Sequence, residues 1–152
     1  MRTGSRYGLE IRSALVADAP FLAELLAGAG VAIPASELAS RLAVLRASPG
    51  AVLMASDWGP AIGLISVQWA PSLLTAEPVA RVSALLVAPD ARRRGVARAL
   101  LKAASQAARS AGCGELELSF PDSATDLLAF AVATGFTPLG AVLSRPLRKG
   151  RG

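Results

Sequence analysis

Residues 82–111 read VSALLVAPDARRRGVARALLKAASQAARSA, and the way this stretch divides decides the fold. Its first six residues, 82–87, are rich in β-branched and large apolar side chains and have the length of a strand. Pro89 and Asp90 break that strand. Arg92, Arg93 and Arg94 follow, and then Gly95. From there an alanine- and leucine-rich segment is predicted to run as a helix to Ala111, with Gly112 as its stop. Val96, Ala99, Leu100, Ala103, Ala104 and Ala107 recur at three- and four-residue spacing, so one face of the helix is expected to be buried.

The charge sits at the unfavourable end of this helix. A first turn carries unpaired N–H groups and the positive end of the macrodipole, and so favours acidic residues. Here Arg92, Arg93, Arg94 and Arg98 crowd that turn. Each cation there costs up to ~1 kcal/mol unless an anion lies among them. Gly95 removes the side chain that would keep a ligand from the backbone. A basic, solvated turn is one reading. Strand, turn, arginines, glycine and helix together favour the other, a phosphate cradle. It is no Walker A loop, because Gly-Lys-Ser/Thr is missing, and no G-x-G-x-x-G fingerprint either.

At 152 residues the chain has the length of a single domain with a sizeable core, and residues 1–152 are taken as one domain with 1–8 and 148–152 loose. A mean hydropathy of +0.47 is high for a soluble monomer, and an oligomer interface, such as that of a homodimer, would account for part of it. The net charge is +5, and fourteen of the sixteen basic residues are arginine. Arginine pairs bidentately with phosphate, which suits an anionic ligand or nucleic acid. The chain has no histidine, which excludes Ser-His-Asp triads, imidazole bases and histidine metal sites. Cys113 is alone, so neither an intrachain disulfide nor a cysteine zinc cluster is available, and no metal is expected. The polar start shows no signal peptide, and the uncharged runs 58–76 and 127–144 are interrupted by Pro or Gly. A soluble cytoplasmic protein with no membrane partner is the expectation.

Along the chain, Leu9 and Ile11 fit a short first strand. Asp18 with Pro20 suits the start of a helix that ends near Gly28 and Gly30. A second helix is expected from Ser36 to about Ser48. Strands 51–56 and 61–69 form a hairpin across residues 57–60. A loop, 70–78, leads into the decisive stretch. After its helix, residues 115–120 alternate as a strand, and Ser123 with Asp126 forms an S-x-x-D cap for a helix through Leu127, Phe130 and Ala133. Gly135 stops it, and 136–147 reads as two more strands. The order is βααβββαβαββ: an α/β (α+β) fold with a mixed, mostly antiparallel central sheet of six to seven strands and helices on both faces. The cradle then lies at the carboxyl end of a strand, where open sheets bind ligands.

This arrangement resembles the GCN5-related N-acetyltransferase (GNAT) superfamily. Residues 92–97, RRRGVA, match its R/Q-x-x-G-x-G/A signature. Residues 87–89, VAP, resemble its V-x-P, and 134–136, TGF, its late x-G-F. Ile11, Arg12, Ser13, Ala14, Asp18 and Ala19 resemble its usual start, so the likeness covers roughly residues 9–147. The resemblance implies acetyl-coenzyme A as donor and an amine as acceptor. It implies that backbone amides of Arg92, Arg93, Arg94, Gly95, Val96, Ala97 and Arg98 hold the pyrophosphate. Leu85, Leu86 and Val87 would pair with the pantetheine amides like an added strand. Ser123 stands near where the family often has a coenzyme-binding asparagine.

One departure concerns the chemistry. The family's usual general-acid tyrosine falls on Ala131 here, and the one tyrosine, Tyr7, lies near the N-terminus. With no histidine, Glu117 and Glu115 on one strand face, Glu77 before the central strand, and Ser119 are the candidates for proton transfer. Each also reads as a solvated surface residue. Loops 28–34 and 69–78, with Glu77 as their one charge, are the expected walls for the acceptor. Two rivals stand beside an N-acetyltransferase: an acyl-coenzyme A-binding sensor of the same fold with little catalysis, and a basic nucleic-acid-binding domain.

Overall fold

The computed structural model describes residues 3–6, 8–92, 94–121 and 123–148. The chain divides into two compact units, Met1–Leu118 and Ser119–Gly152. The first holds a sheet of strands β1 (Thr3–Arg6), β2 (Leu9–Ser13), β3 (Gly50–Asp57), β4 (Ala61–Ala70), β5 (Val79–Val87) and β6 (Glu115–Leu118). They lie side by side in sequence order. Every neighbouring pair is antiparallel except β5 and β6, which are parallel. Helices α1 (Ala19–Gly28) and α2 (Ala35–Arg46) join β2 to β3, and α3 (Val96–Ser110) joins β5 to β6. The parallel pair needs a long crossover, and α3 provides it. The second unit contains α4 (Thr125–Ala133).

Each face of the sheet carries helices because β3 and β4 are apolar on both sides, as the near-continuous run Val52, Leu53, Met54 and Ala55 requires. On one face Val52, Met54 and Leu64 pack with Leu22, Leu25 and Leu26 of α1 and Leu38 and Leu42 of α2. On the other, Leu53 lies opposite Ile65 and Ala55 opposite Gly63, beneath α3. Gly63 sets the depth of that contact. A Cβ there would fall 2.8 Å from Val96 Cγ1 and 2.9 Å from Leu100 Cδ1. No helix among the described residues is long and apolar enough to cross a membrane.

Five of the seven expected strands form, and the differences have physical causes. Thr3–Arg6, expected to be loose, pairs antiparallel with β2 through a turn at Gly8, whose φ of 84° suits glycine. Residues 136–147, read as two strands, lie outside helix and strand, with Leu139, Val142, Leu143 and Leu147 exposed. Apolar alternation confers strand propensity, but a strand exists only when paired. Asp18 precedes α1 without capping it. Its carboxylate instead accepts two hydrogen bonds from Arg12, each 2.7 Å, and one from the Leu15 N–H, also 2.7 Å. Likewise Ser123 does not cap α4, which begins after Ala124 with no side-chain cap.

Asp18 is 6% exposed, and the Arg12 hydrogen bonds, followed by that of Leu15 and the Arg12 and Arg46 charges, hold its carboxyl below the usual range against the cost of burial. A pKa lowered by folding stabilises the protein above the unfolded value, about 3.9, and that stability is lost as pH falls through the lower folded value. Urea unfolding of Asp18→Asn should therefore show a loss of about 1–3 kcal/mol at neutral pH. That gap should begin to narrow as pH falls below about 4 and close only below the lowered folded value, where wild type loses the same interaction.

Gly63 makes a second prediction. Gly63→Val should destabilise by about 1–3 kcal/mol through overpacking under α3. Gly28→Ala, at the open end of α1, should be neutral or stabilising by up to ~1 kcal/mol. Equal urea midpoints for the two variants would show that α3 does not depend on the missing side chain.

Candidate functional site

The site is built around β5, because its two sides end differently. Towards β4 it is paired along its length, from Val79 opposite Ala70 to Val87 opposite Gly63. Towards β6 it is paired only from Val79 to Val82, opposite Glu115 to Leu118. Beyond that point the β6-side edge, through Leu85, Leu86 and Val87, has no strand partner among the described residues. The change coincides with a bulge. Val82 faces Val67 and Ala84 faces Ser66, so Ser83 is one residue extra. A bulge bends its strand and raises local twist, which favours separation of β5 from β6 here.

At its carboxyl end the open edge runs into the arginine loop. The Ala88 N–H donates to Ile62 O (2.8 Å), and a single 3-10 turn, Pro89–Ala91, buries Ala91. Arg92 is extended and exposed. Gly95 has φ 77° and ψ 12°, the left-handed region, and is the N-cap of α3. It offers no side-chain cap, and no acidic residue stands in the first turn. Nothing lies within 4 Å of where its Cβ would be. Uncapped first-turn amides, next to a glycine with open space at its Cβ position and at the positive end of a fifteen-residue helix, fit an anion such as a pyrophosphate.

The expected ligand residues divide by side chain. Val96 is buried under α3 against Gly63 and can offer a ligand only its backbone. Ala97 is half-buried and Arg98 exposed. Arg94 is ion-paired to Asp57, the last residue of β3. Arg93 lies outside the described residues. Ser119 and Ser123 are exposed members of the second unit, and Ser123 accepts the Thr125 N–H through its carbonyl at 3.0 Å.

Around the point where β5 and β6 part, the face that carries α1 and α2 is polar. Gln68 and Arg81 lie opposite each other across β4 and β5. Gln68 Nε2 donates to Ser66 Oγ (2.8 Å), and Ser83 Oγ donates to Ser66 O (3.3 Å). Arg81 Nε donates to Glu117 Oε2 at 2.9 Å. Glu117 is thus held beside the parting strands by Arg81, with its side chain 33% exposed. Glu77 is elsewhere, its carboxylate packed over Gly114 ahead of β5. Reading the sequence missed Ser66, Gln68, Arg81 and Ser83. Ser66 and Gln68 interrupt an apolar strand at spacing two, which was the available signal. Burial pushes the Cys113 thiol up, away from a reactive thiolate. No cluster of three or more His, Cys, Asp or Glu suited to a metal occurs among the described residues.

Residues 22–136 match the family model described as the acetyltransferase (GNAT) family. The chain belongs to that family. Among solved structures it is similar to a Trypanosoma brucei acetyltransferase, with TM-score 0.79, 24% identity and coverage of 91% of this chain and 99% of that one. It is similar to glucosamine-6-phosphate N-acetyltransferase from Arabidopsis thaliana, with TM-score 0.80, 15% identity and coverage of 92% and 99%. It is similar also to AAC(6')-Iy in complex with the bisubstrate analogue CoA-S-monomethyl-acetylneamine, with TM-score 0.80, 21% identity and coverage of 93% and 99%. At such identities these likenesses establish the GNAT fold alone. No curated protein sequence matches the chain.

Proposed function

We infer that this GNAT protein is an N-acetyltransferase that moves an acetyl group from acetyl-coenzyme A to a primary amine of a small molecule or peptide. The observation that carries this reading is the continuity of the open β5 edge with the uncapped, glycine-led start of α3. Pantetheine carries two amides, which suit an unpaired strand edge, and a pyrophosphate suits helix amides beside arginine. The bound AAC(6')-Iy ligand, which joins coenzyme A to an amine-derived product, supports the same pairing of substrates in this fold.

The open edge from Val87 back to Ser83 spans four strand steps, about 13 Å at ~3.3 Å each, and ends where β6 begins to pair. A pantetheine arm running along it from a pyrophosphate at Gly95 would bring the thioester end towards Ser83, next to the Arg81–Glu117 pair. Acetyl-coenzyme A supplies an activated acetyl thioester when bound. The chain's part is to hold the amine against it and to take a proton from the incoming ammonium. Glu117 is our candidate for that role, supported by its ion pair with Arg81, which orients the carboxylate and leaves it partly open to solvent. Ser83, at the end of the open edge, would be the hydroxyl available to the departing thiolate. The acceptor enters between loops 28–34 and 69–78, the second presenting exposed Leu73 and Leu74 and the charge of Glu77, which favours an amine on an otherwise weakly charged molecule.

Ala131 favours a second reading, a coenzyme-binding module with little turnover. It occupies the position the family resemblance assigns to the acid tyrosine and is 4% exposed. Calorimetry with acetyl-coenzyme A, together with thiol release over a panel of amines, separates the two. Binding with thiol release supports the enzyme, and binding without it supports the module. Salt-dependent binding of RNA or DNA without coenzyme binding would overturn both.

Gly95 tests the cradle. Gly95→Ala and Gly95→Glu share the left-handed strain, roughly 1 kcal/mol, and should melt alike. Only Glu puts bulk and negative charge at the amides, so acetyl-coenzyme A affinity should fall by about 100-fold beyond that of Ala. Equal affinities would remove the assignment. Glu117 tests the chemistry: Glu117→Gln should lower kcat by roughly 100-fold or more with coenzyme affinity intact, as removal of a general base does. A loss under about threefold would reduce Glu117 to an ion-pair partner of Arg81.

A further inference from the structure

The last residue of β3 reaches into the arginine loop. Asp57 Oδ2 accepts from Arg94 Nη2, and Arg94 immediately precedes Gly95. The two partners differ in exposure. The Asp57 side chain is 19% exposed and that of Arg94 51%. Asp57 is also the more rigid partner, because it ends an eight-residue strand and pairs with Leu9 of β2. Its other oxygen, Oδ1, is buried with no hydrogen-bond partner among the described residues.

We propose that Asp57 is a positioning residue: it latches the Arg94 side chain to the β3–β4 hairpin and so fixes the Gly95 loop with its backbone amides facing outward. A carboxylate this buried, with one oxygen already unmet, loses its counter-charge if Arg94 swings to a ligand. Arg94 therefore stays on Asp57, and its contribution to phosphate binding passes through the backbone it holds. Arg92 and Arg98 are exposed and belong to none of the ion pairs found among the described residues, so their charges remain available to the ligand. The latch also opposes the crowding of like charge at the helix start, since one of the arginines is neutralised by a residue from another element. Preorganised amides bind an anion without an ordering cost, which is what a fixed loop contributes.

The consequence for coenzyme binding rests on the reading of the site given above, whereas the latch itself is testable without a ligand. Amide hydrogen exchange of the unliganded protein comes first. Asp57→Asn and Arg94→Ala should each speed exchange at Ala91 and Ala99, whose N–H groups donate to Ala88 O and Gly95 O, by about threefold or more, and leave the β4 amides Leu64–Val67 unchanged. Unchanged exchange at the loop in both variants overturns the latch whether or not the protein binds acetyl-coenzyme A. Calorimetry then compares wild type, Asp57→Asn, Arg94→Ala and the double variant, with acetyl-coenzyme A and with S-acetylpantetheine, which lacks the pyrophosphate. Both single variants should weaken acetyl-coenzyme A equally, by about threefold to tenfold, and the double variant no further. S-acetylpantetheine affinity should not change. A larger loss in Arg94→Ala than in Asp57→Asn would show that Arg94 touches the phosphate itself, and multiplying losses would show independent roles; either overturns the proposal. Arg94→Lys, which keeps the charge and can still reach a carboxylate, should restore most of the affinity. Failure of wild type to bind acetyl-coenzyme A would overturn the functional reading alone, with the exchange result still deciding the latch.

Discussion

The contact on which this architecture depends is that of α3 with the bare backbone at Gly63. With no side chain at that position, Val96 and Leu100 settle directly on β4, and the first turn of α3 is drawn down to the end of the sheet. Gly63 also pairs with Val87, the last residue of β5. The same glycine therefore registers the end of the strand and the start of the helix that follows it. The eight residues between them, 88–95, have to close a short path, and those described include a 3-10 turn and a left-handed glycine. Helix amides and strand edge end up adjacent because both are indexed to β4.

A second constraint acts at the other end of β5. The parallel pairing with β6 lasts four residues and stops where Ser83 bulges out of the β4 register. A fully paired β5 would have no edge to offer a ligand. Antiparallel pairing with β4 holds the strand in place, and loss of the β6 partner leaves its edge open, so rigidity and access come from opposite sides of one strand. The polar residues gather at this boundary. Ser66, Gln68, Arg81 and Glu117 are joined in pairs by hydrogen bonds at the place where the strands separate. Such groups are tolerated on a sheet face because each finds a partner.

The arginines show how a charge pattern and a structure divide a question. Their concentration before a helix was visible as an unfavourable placement, and it pointed to an anion. Within the first unit, Arg12, Arg81 and Arg94 are each committed to a carboxylate from a different part of the chain, while Arg92 and Arg98 are exposed. Composition could not sort these. Arg81 and Arg94 look alike in sequence, yet one faces a neighbouring strand and the other a strand two places away.

The elements of the fold, and the strand–turn–helix at its centre, were legible in the sequence because periodicity and glycine placement are local properties. The strands read at 51–56, 61–69 and 82–87 from apolar spacing fall within β3, β4 and β5, and the expected helix starts at Val96 behind a left-handed Gly95. The candidate cradle was legible for the same reason: its residues are consecutive. What tertiary structure decided depends on pairing between distant segments. Thr3–Arg6 became a strand because β2 offered an edge, while residues 136–147, with better strand composition, did not form one. Asp18 looked like a cap and is instead the counter-charge of Arg12, because the turn after β2 folds the two together. Asp57 looked like one residue of a hairpin turn, and its ion pair came into view only when the chain leading into α3 brought Arg94 beside it. Local pattern specifies which backbone conformation a segment adopts; the partner of a charge or of a strand edge is set by the three-dimensional path of the whole chain.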